Sequence, residues 1–148
     1  MKTLLEHMQA HHGRCDQLYA DGENFLLDEQ IEEGLESIKS FLNKMEQHFQ
    51  MEETVLFPTF EEISGMRQDT TQVMRMEHQQ MRNLLARMSE AVSSGDREEI
   101  LEVGKTMMIL MQQHNVKEEG ILYPMADQHL ASYREELIER MDAVAIPA

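Results

Sequence analysis

Six residues of the types that bind transition metals recur in this chain at a constant offset of 66 residues. The segment HFQMEETVLFP, which begins at His48, matches HNVKEEGILYP, which begins at His114, in its spacing and in its closing aromatic–proline pair. Imidazole nitrogen and carboxylate oxygen are ligands that suit iron and its neighbours in the first transition series. The six residues are His12, His48, Glu52, His78, His114 and Glu118. Their repetition predicts a duplicated metal-binding half-site.

The number and type of these ligands favour two metal ions over one. Six nitrogen and oxygen ligands exceed the four that a structural zinc ion normally takes, and a set without thiolates argues against an iron–sulfur cluster. The repeat suggests that each metal takes two imidazoles, while Glu52 and Glu118 bridge the pair together with a solvent-derived oxo or hydroxo group. Two iron ions are the expected cofactor, with manganese and zinc open as alternatives. Open metal positions would accept small diatomic ligands or peroxide.

Helices are the elements that must position these residues. The chain has seven glycines and three prolines and is rich in Leu, Met, Glu and Gln, which are good helix formers, so an all-α fold is expected. Apolar residues recur at steps of three and four, and the six ligand positions fall in gaps of these stripes, which turns them towards the core.

The positions of the turns predict how the helices pack. Turns are indicated near residues 28–30, at 63–65 and at 93–96, and the midpoints between successive ligand histidines fall at positions 30, 63 and 96. Residues equally far from a turn lie at the same height on adjacent antiparallel helices. The sequence therefore predicts an up-down-up-down antiparallel four-helix bundle, with one histidine per helix in a single layer. A short extra C-terminal helix is expected through Leu137 and Met141.

Size and charge limit the remaining possibilities. With 148 residues and 41% hydrophobic content, the chain is expected to form one domain, 1–148, built from two pseudo-repeats at about 4–62 and 70–128. The net charge of -15 disfavours binding to nucleic acid or to a membrane surface. There is no apolar run of about 20 residues, and the start of the chain does not resemble a signal peptide. Cytoplasmic localisation is therefore expected, in agreement with the single cysteine, Cys15.

The paired HxxxE motifs, with two further histidines in register, resemble the hemerythrin-like HHE cation-binding family over residues 4–126. That resemblance implies a four-helix bundle with a non-haem diiron centre, and it carries the ligand roles onto the six residues named above. Ferritin-like diiron bundles would instead use Glu-x-x-His, a motif that does not occur in this sequence.

The chain departs from the oxygen-carrying hemerythrins in two places. Met74 stands where those proteins have an additional histidine, and HxxxE replaces their closing HxxxxD. The pattern is more similar to the branch implicated in iron–sulfur cluster repair, nitric oxide chemistry and peroxide handling. Two function classes stay open: a redox enzyme or repair factor served by an unidentified electron donor, and a non-catalytic binder or sensor of oxygen, nitric oxide or iron. A metal-free interaction bundle is the third reading.

Other residues of chemically active types lie next to the predicted ligands. His12 is preferred over His11 because the 66-residue offset places His11 on Glu77 and His12 on His78. His7 and His11 form an i, i+4 pair of a kind that can bind metal, but they are expected to be solvated because they lie off the core stripe. Glu53 and Glu119 lie off the inward face and are expected to be solvated or paired with Lys and Arg. Cys15 and Tyr19 lie on the core stripe, where their repeat counterparts are Met81 and Leu85, and either ordinary packing or tuning of the metal pocket would explain them.

Overall fold

The computed structural model describes residues 2–66 and 70–144, which fold into helices with no β-strand among them. Two short π-helical segments, π1 and π2, interrupt the α-helices. The α-helices are α1 (Leu4–Leu27), α2 (Ile31–Met51), α3 (Phe57–Ser64), α4 (Thr70–Ser94), α5 (Arg97–Lys117), α6 (Tyr123–His129) and α7 (Arg134–Asp142). The π-helical segments are π1 (Glu52–Leu56) and π2 (Glu118–Leu122), and a 3-10 turn spans Ala131–Tyr133. Because π1 joins α2 to α3 and π2 joins α5 to α6 without a break, each set of three segments forms one long helical stretch. With α1 and α4, the described residues therefore contain four long helical stretches.

The first two helices form a close hairpin. Thr3 caps α1 through a reciprocal pair of hydrogen bonds with Glu6. Two glycines permit close packing: a Cβ added at Gly22 would lie 2.6 Å from the side chain of Ile38, and one added at Gly34 would lie 2.6 Å from that of Leu26. The contacts pair later residues of α1 with earlier residues of α2, so the two helices run in opposite directions.

The helix ends agree with the turns that the sequence predicts. Between α1 and α2, the amide of Gln30 donates to the carbonyl of Phe25. Gly65 and Gly95 both adopt positive φ, 74° and 69°, which terminates the preceding helix at little steric cost. Asp96 then caps α5 by accepting a hydrogen bond from the amide of Glu99. Residues 67–69, which follow the second turn, lie outside the described part of the chain.

The core consists of two apolar clusters separated by a polar layer. One cluster includes Cys15, Met45, Met81 and Met111, and the other includes Met8, Met51, Met74 and Leu122. Along each of the four long helical stretches, the predicted ligands fall between a residue of one cluster and a residue of the other. The polar layer therefore crosses the middle of the helical bundle.

The short C-terminal helix that the sequence predicts is present, and it packs against the second cluster. Leu137 and Met141 are buried there, and the side-chain amide of Gln47 donates to the carbonyl of Val144 over 2.9 Å. This packing places α7 beside the beginning of α1. Across the described residues, we find no helix with both the length and the apolar character needed to cross a lipid bilayer.

Candidate metal centre

The structure brings the six predicted ligand residues together in the polar layer. The histidines come from α1, α2, α4 and α5, and the glutamates open π1 and π2. Each of the six is at most 6% exposed. We refer to His12, His48, Glu52, His78, His114 and Glu118 as the six-residue cluster.

Distances within this cluster divide it into two overlapping groups. The Nε2 atoms of His12 and His48 lie 3.2 Å apart, and His12 Nε2 lies 3.1 Å from Glu118 Oε1. On the other side, His78 Nε2 lies 3.0 Å from Glu52 Oε1, and His114 Nε2 lies 3.2 Å from Glu118 Oε2. Each group has ligand atoms within 4.8 Å of one another, and Glu118 belongs to both.

Several of the buried polar atoms in the cluster have no hydrogen-bond partner among the described residues. Besides His48 Nδ1, they are Glu52 Oε1, His78 Nε2, His114 Nε2 and Glu118 Oε2, and these four face other atoms of the cluster. Each lies within about 3.2 Å of another of these atoms but without hydrogen-bond geometry, so these polar atoms converge on a common region. Buried polar groups are costly without a partner, and a cation supplies one. The residues therefore fit a metal ion, which they could bind.

The two π-helical segments determine where the glutamates lie. The amide of Phe57 donates to the carbonyl of Glu52, and the amide of Tyr123 donates to that of Glu118, in each case five residues back. Pro58 directly follows Phe57, and Pro124 directly follows Tyr123. Proline lacks an N–H and its ring crowds the carbonyl four residues earlier, so a wider turn before it relieves this conflict. Regular helical periodicity in the sequence does not predict these π-helical segments.

Carboxylates outside the cluster accept hydrogen bonds from three of its imidazoles. His12 Nδ1 donates to Glu119 and His78 Nδ1 donates to Glu53, both over 2.7 Å. Glu53 also pairs with Arg82, which is one of the two outcomes expected for it, but the contact of each glutamate with the histidine of the other repeat was not expected. His114 Nδ1 donates likewise to Glu77 over 2.7 Å. With Nδ1 held by a carboxylate, Nε2 is the nitrogen that faces the cluster, and a metal ion that binds there displaces any proton it carries.

These contacts also dominate the electrostatics of the cluster. Burial by itself would lower the pKa of both His12 and His78, but the neighbouring glutamates outweigh it and raise the pKa to about 8 for His12 and about 9 for His78. Burial likewise opposes ionisation of Glu52, yet His48 and the other groups close to it hold the pKa of Glu52 well below the ordinary value. The carboxylate of Glu52 thus faces positively charged imidazoles. A bound cation would take the place of that positive charge.

His48 is the exception to the pattern of carboxylate support. Its Nδ1 has no hydrogen-bond partner among the described residues. The position equivalent to Glu77 in the first repeat is His11, whose ring lies 6.0 Å from that of His48. His7 and His11 are both buried, so the expectation that they are solvated is wrong. Burial and nearby positive charge lower the pKa of His11 to about 3, so it offers His48 no negative charge.

Tyr123 makes a further polar contact with the cluster, which was not predicted from the sequence. It is fully buried, and its phenol oxygen lies 2.7 Å from Glu52 Oε2, 2.9 Å from Glu118 Oε1 and 3.2 Å from His12 Nε2. Burial, together with the charges of the two carboxylates, raises its pKa well above the ordinary value, so the phenol remains a donor. The repeat counterpart is Phe57, and the difference between LFP and LYP was the available signal.

A small cavity adjoins the cluster. It measures about 10 Å³ and is lined by His12, Cys15, Met45, His48, Phe49, Met81, Met111, His114 and Asn115. That volume is about what one water-sized molecule requires. Burial raises the pKa of the Cys15 thiol to about 12, so it contributes an apolar surface and not a thiolate. Tyr19 instead packs against Phe41, with ring centroids 5.4 Å apart.

Comparison with known proteins adds one finding. A family model described as the hemerythrin HHE cation binding domain matches residues 3–126, a range that contains the whole six-residue cluster. No match was found among curated proteins or among solved structures.

Proposed function

The chain belongs to the hemerythrin HHE cation-binding family, and from that premise we propose that its six-residue cluster holds two iron ions. His12 and His48 would bind one ion, His78 and His114 the other, with Glu52, Glu118 and an oxo or hydroxo group between them. The two overlapping groups that share Glu118 support this division. When bound, such a pair supplies a redox-active centre with positions open to small ligands.

The arrangement of helices that we propose is the up-down-up-down four-helix bundle. Contacts between the second and third long stretches support it, because Glu53 meets His78 while Glu46 meets Arg82 further along. Contacts between the first and last stretches agree, since His12 meets Glu119 while the amide of Leu4 meets Asp127. On this proposal, residues 1–148 form one hemerythrin-like domain of two pseudo-repeats.

The cavity is the observation that carries the proposal about function. Three histidines of the cluster line it together with Cys15 and four other apolar side chains, and its volume of about 10 Å³ has no room for an organic substrate. We therefore propose that the protein handles small oxidants or ligands such as nitric oxide, peroxide or oxygen. A role in iron–sulfur cluster repair or in a stress response would use the same centre and an external electron donor. The alternative is reversible binding, as in an oxygen, nitric oxide or iron sensor.

Metal analysis with an optical spectrum is the first test of this proposal. About two iron ions per chain are expected from the paired ligand groups, and a protein that takes up no metal under anaerobic iron loading would overturn it. The reduced protein is then exposed separately to oxygen, nitric oxide and hydrogen peroxide. Multiple turnovers with a reductant would indicate an enzyme, whereas a stable, reversible adduct would indicate a binder.

Two substitutions at Cys15 test the role of the cavity. Cys15→Leu adds volume beside His12 and His48 and should slow or abolish binding of nitric oxide while the iron content stays unchanged. Cys15→Ser preserves the size of the side chain and serves as the matched control. Equal binding rates in the two variants would show that small ligands do not occupy this cavity.

A further inference from the structure

A second group of potential metal ligands lies outside the six-residue cluster, between α1 and α7. His7 and His11 are separated by one helical turn on α1, and their ring centroids are 5.1 Å apart. His7 Nε2 lies 2.9 Å from Asp142 Oδ1, and His11 Nε2 lies 4.0 Å from the same oxygen. Ligand atoms of the three residues all lie within 4.8 Å of one another.

From this geometry we propose that His7, His11 and Asp142 form a mononuclear site for a divalent transition-metal ion such as Zn²⁺ or Fe²⁺. Two imidazoles with one carboxylate suit these ions, whereas Mg²⁺ and Ca²⁺ prefer oxygen ligands alone. Metal–ligand bonds of about 2 Å hold ligand atoms roughly 3 Å apart, so a small inward movement of His11 completes the set.

The exposure of the three side chains fits a metal site that is open on one side. His7 and His11 are 7% and 6% exposed, whereas the side chain of Asp142 is 52% exposed. Two buried imidazoles therefore face a carboxylate at the surface, where water can reach the ion and fill its remaining positions. The site shares no residue with the six-residue cluster, and its binding of metal does not depend on the proposed diiron function.

A simple ion pair between α1 and α7 is the competing explanation. It accounts for the contact between His7 and Asp142, but it does not require a second imidazole that presents Nε2 to the same oxygen. The position of Asp142 is also determined independently of either histidine, because Met141 beside it is fully buried and Gln47 holds the carbonyl of Val144. Packing of α7 thus places the carboxylate of Asp142 beside His7 and His11, which lie on one face of α1.

Zinc binding to the iron-loaded full-length protein tests the proposal. Isothermal titration with Zn²⁺, followed by metal analysis after desalting, should give about one additional zinc ion per chain in the wild type. His7→Gln and Asp142→Asn should each remove that ion and leave the iron content unchanged. His129→Gln is the matched control, because His129 is an exposed histidine on α6 and should not affect zinc binding.

The difference between the wild type and Asp142→Asn decides the question. Equal zinc binding in these two proteins, or no additional zinc in the wild type, would overturn the proposal and leave an ion pair as the role of the three residues. The comparison also holds if the six-residue cluster binds no iron, because zinc taken up there would be the same in both proteins. Failure of the diiron proposal appears separately, in the iron content and the optical spectrum. Asp142 is half exposed, so its substitution should not prevent folding, and circular dichroism checks this.

Discussion

The hydrogen-bond partners of the imidazole Nδ1 atoms distinguish the two halves of the six-residue cluster. His78 and His114 each donate from Nδ1 to a glutamate, as does His12, whereas His48 Nδ1 has no such partner in the described part of the chain. A carboxylate partner makes an imidazole a stronger donor to metal and fixes its tautomer. The metal position at His12 and His48 therefore receives less negative charge than the other. On the diiron proposal, the two ions are chemically inequivalent although their ligands are the same.

Removing one outer carboxylate should weaken metal binding without unfolding the protein. Glu119→Gln leaves His12 Nδ1 with a neutral partner, and a decrease in metal affinity of about 10- to 100-fold is expected. Competition with a chelator of known affinity measures the change. Glu102→Gln is the control, because the Glu102 side chain is 76% exposed and is far from the ligand histidines in sequence. If both variants retain metal equally, the outer carboxylate does not support the site.

Giving His48 the missing carboxylate should make the two halves more alike. His11→Glu places a glutamate where the second repeat has Glu77, so its carboxylate can accept the proton of His48 Nδ1. We expect a lower reduction potential for the metal centre, because added negative charge stabilises the oxidised ions. A spectroscopic redox titration measures the shift. His11→Gln tests whether charge is responsible, and a shift of the same size in both variants would contradict the electrostatic explanation.

The phenol of Tyr123 should stabilise the two carboxylates of the cluster. Tyr123→Phe removes the only side-chain O–H near Glu52 and Glu118 among the described residues, and the metal-free protein should lose about 1–3 kcal/mol of stability. Denaturant unfolding measures this loss, and the optical spectrum of the iron-loaded variant should shift. Tyr19→Phe is the control, since the Tyr19 hydroxyl lies 3.4 Å from Glu23 and makes a weaker bond. Equal losses in the two variants would show that the hydroxyl at the cluster has no special role.

At the scale of the elements, the sequence predicted which residues face the core more accurately than it predicted the local geometry of the helices. Helical periodicity turned His48 and Glu52 towards the core, and the spacing of the histidines predicted that they meet in one layer. The π-helical segments were not predictable from periodicity, because one wider turn changes the direction of a side chain without changing the apolar stripe. The contact of Glu119 with His12 was missed for a related reason: the face of a single helix does not reveal which carboxylates reach a neighbouring helix.

The π-helical turn itself can be tested by shortening it. Deletion of Thr54, an exposed residue of π1, should convert the segment to a regular α-helix while α3 keeps its packing. Glu52 would then point in a different direction, so metal content should fall although helix content measured by circular dichroism is retained. Thr54→Ala keeps the chain length and should bind metal normally. Full metal binding after the deletion would show that the wider turn is not required to position Glu52.

At the scale of the whole molecule, the polar layer lies between the two parts of the core. The apolar clusters on either side each pack residues from several helices, but the layer between them contains four imidazoles and two carboxylates. Without a cation, that layer retains short contacts between charged groups and several buried atoms without partners. Metal binding should therefore stabilise the bundle as a whole, since a ligand that binds only the folded state shifts the folding equilibrium.

Removal of the metal should accordingly lower the melting temperature while leaving most of the helix content in place. If free metal exceeds its dissociation constant about a thousandfold, binding contributes about 4 kcal/mol, which for a chain of this size corresponds to about 10 °C. Thermal unfolding before and after chelation measures the difference, and reloading with iron should restore it. His48→Ala with His114→Ala is the comparison, because this variant has lost an imidazole from each half and its melting temperature should respond much less to chelation. An equal response in the two proteins would mean that the stabilising metal binds elsewhere than in the six-residue cluster.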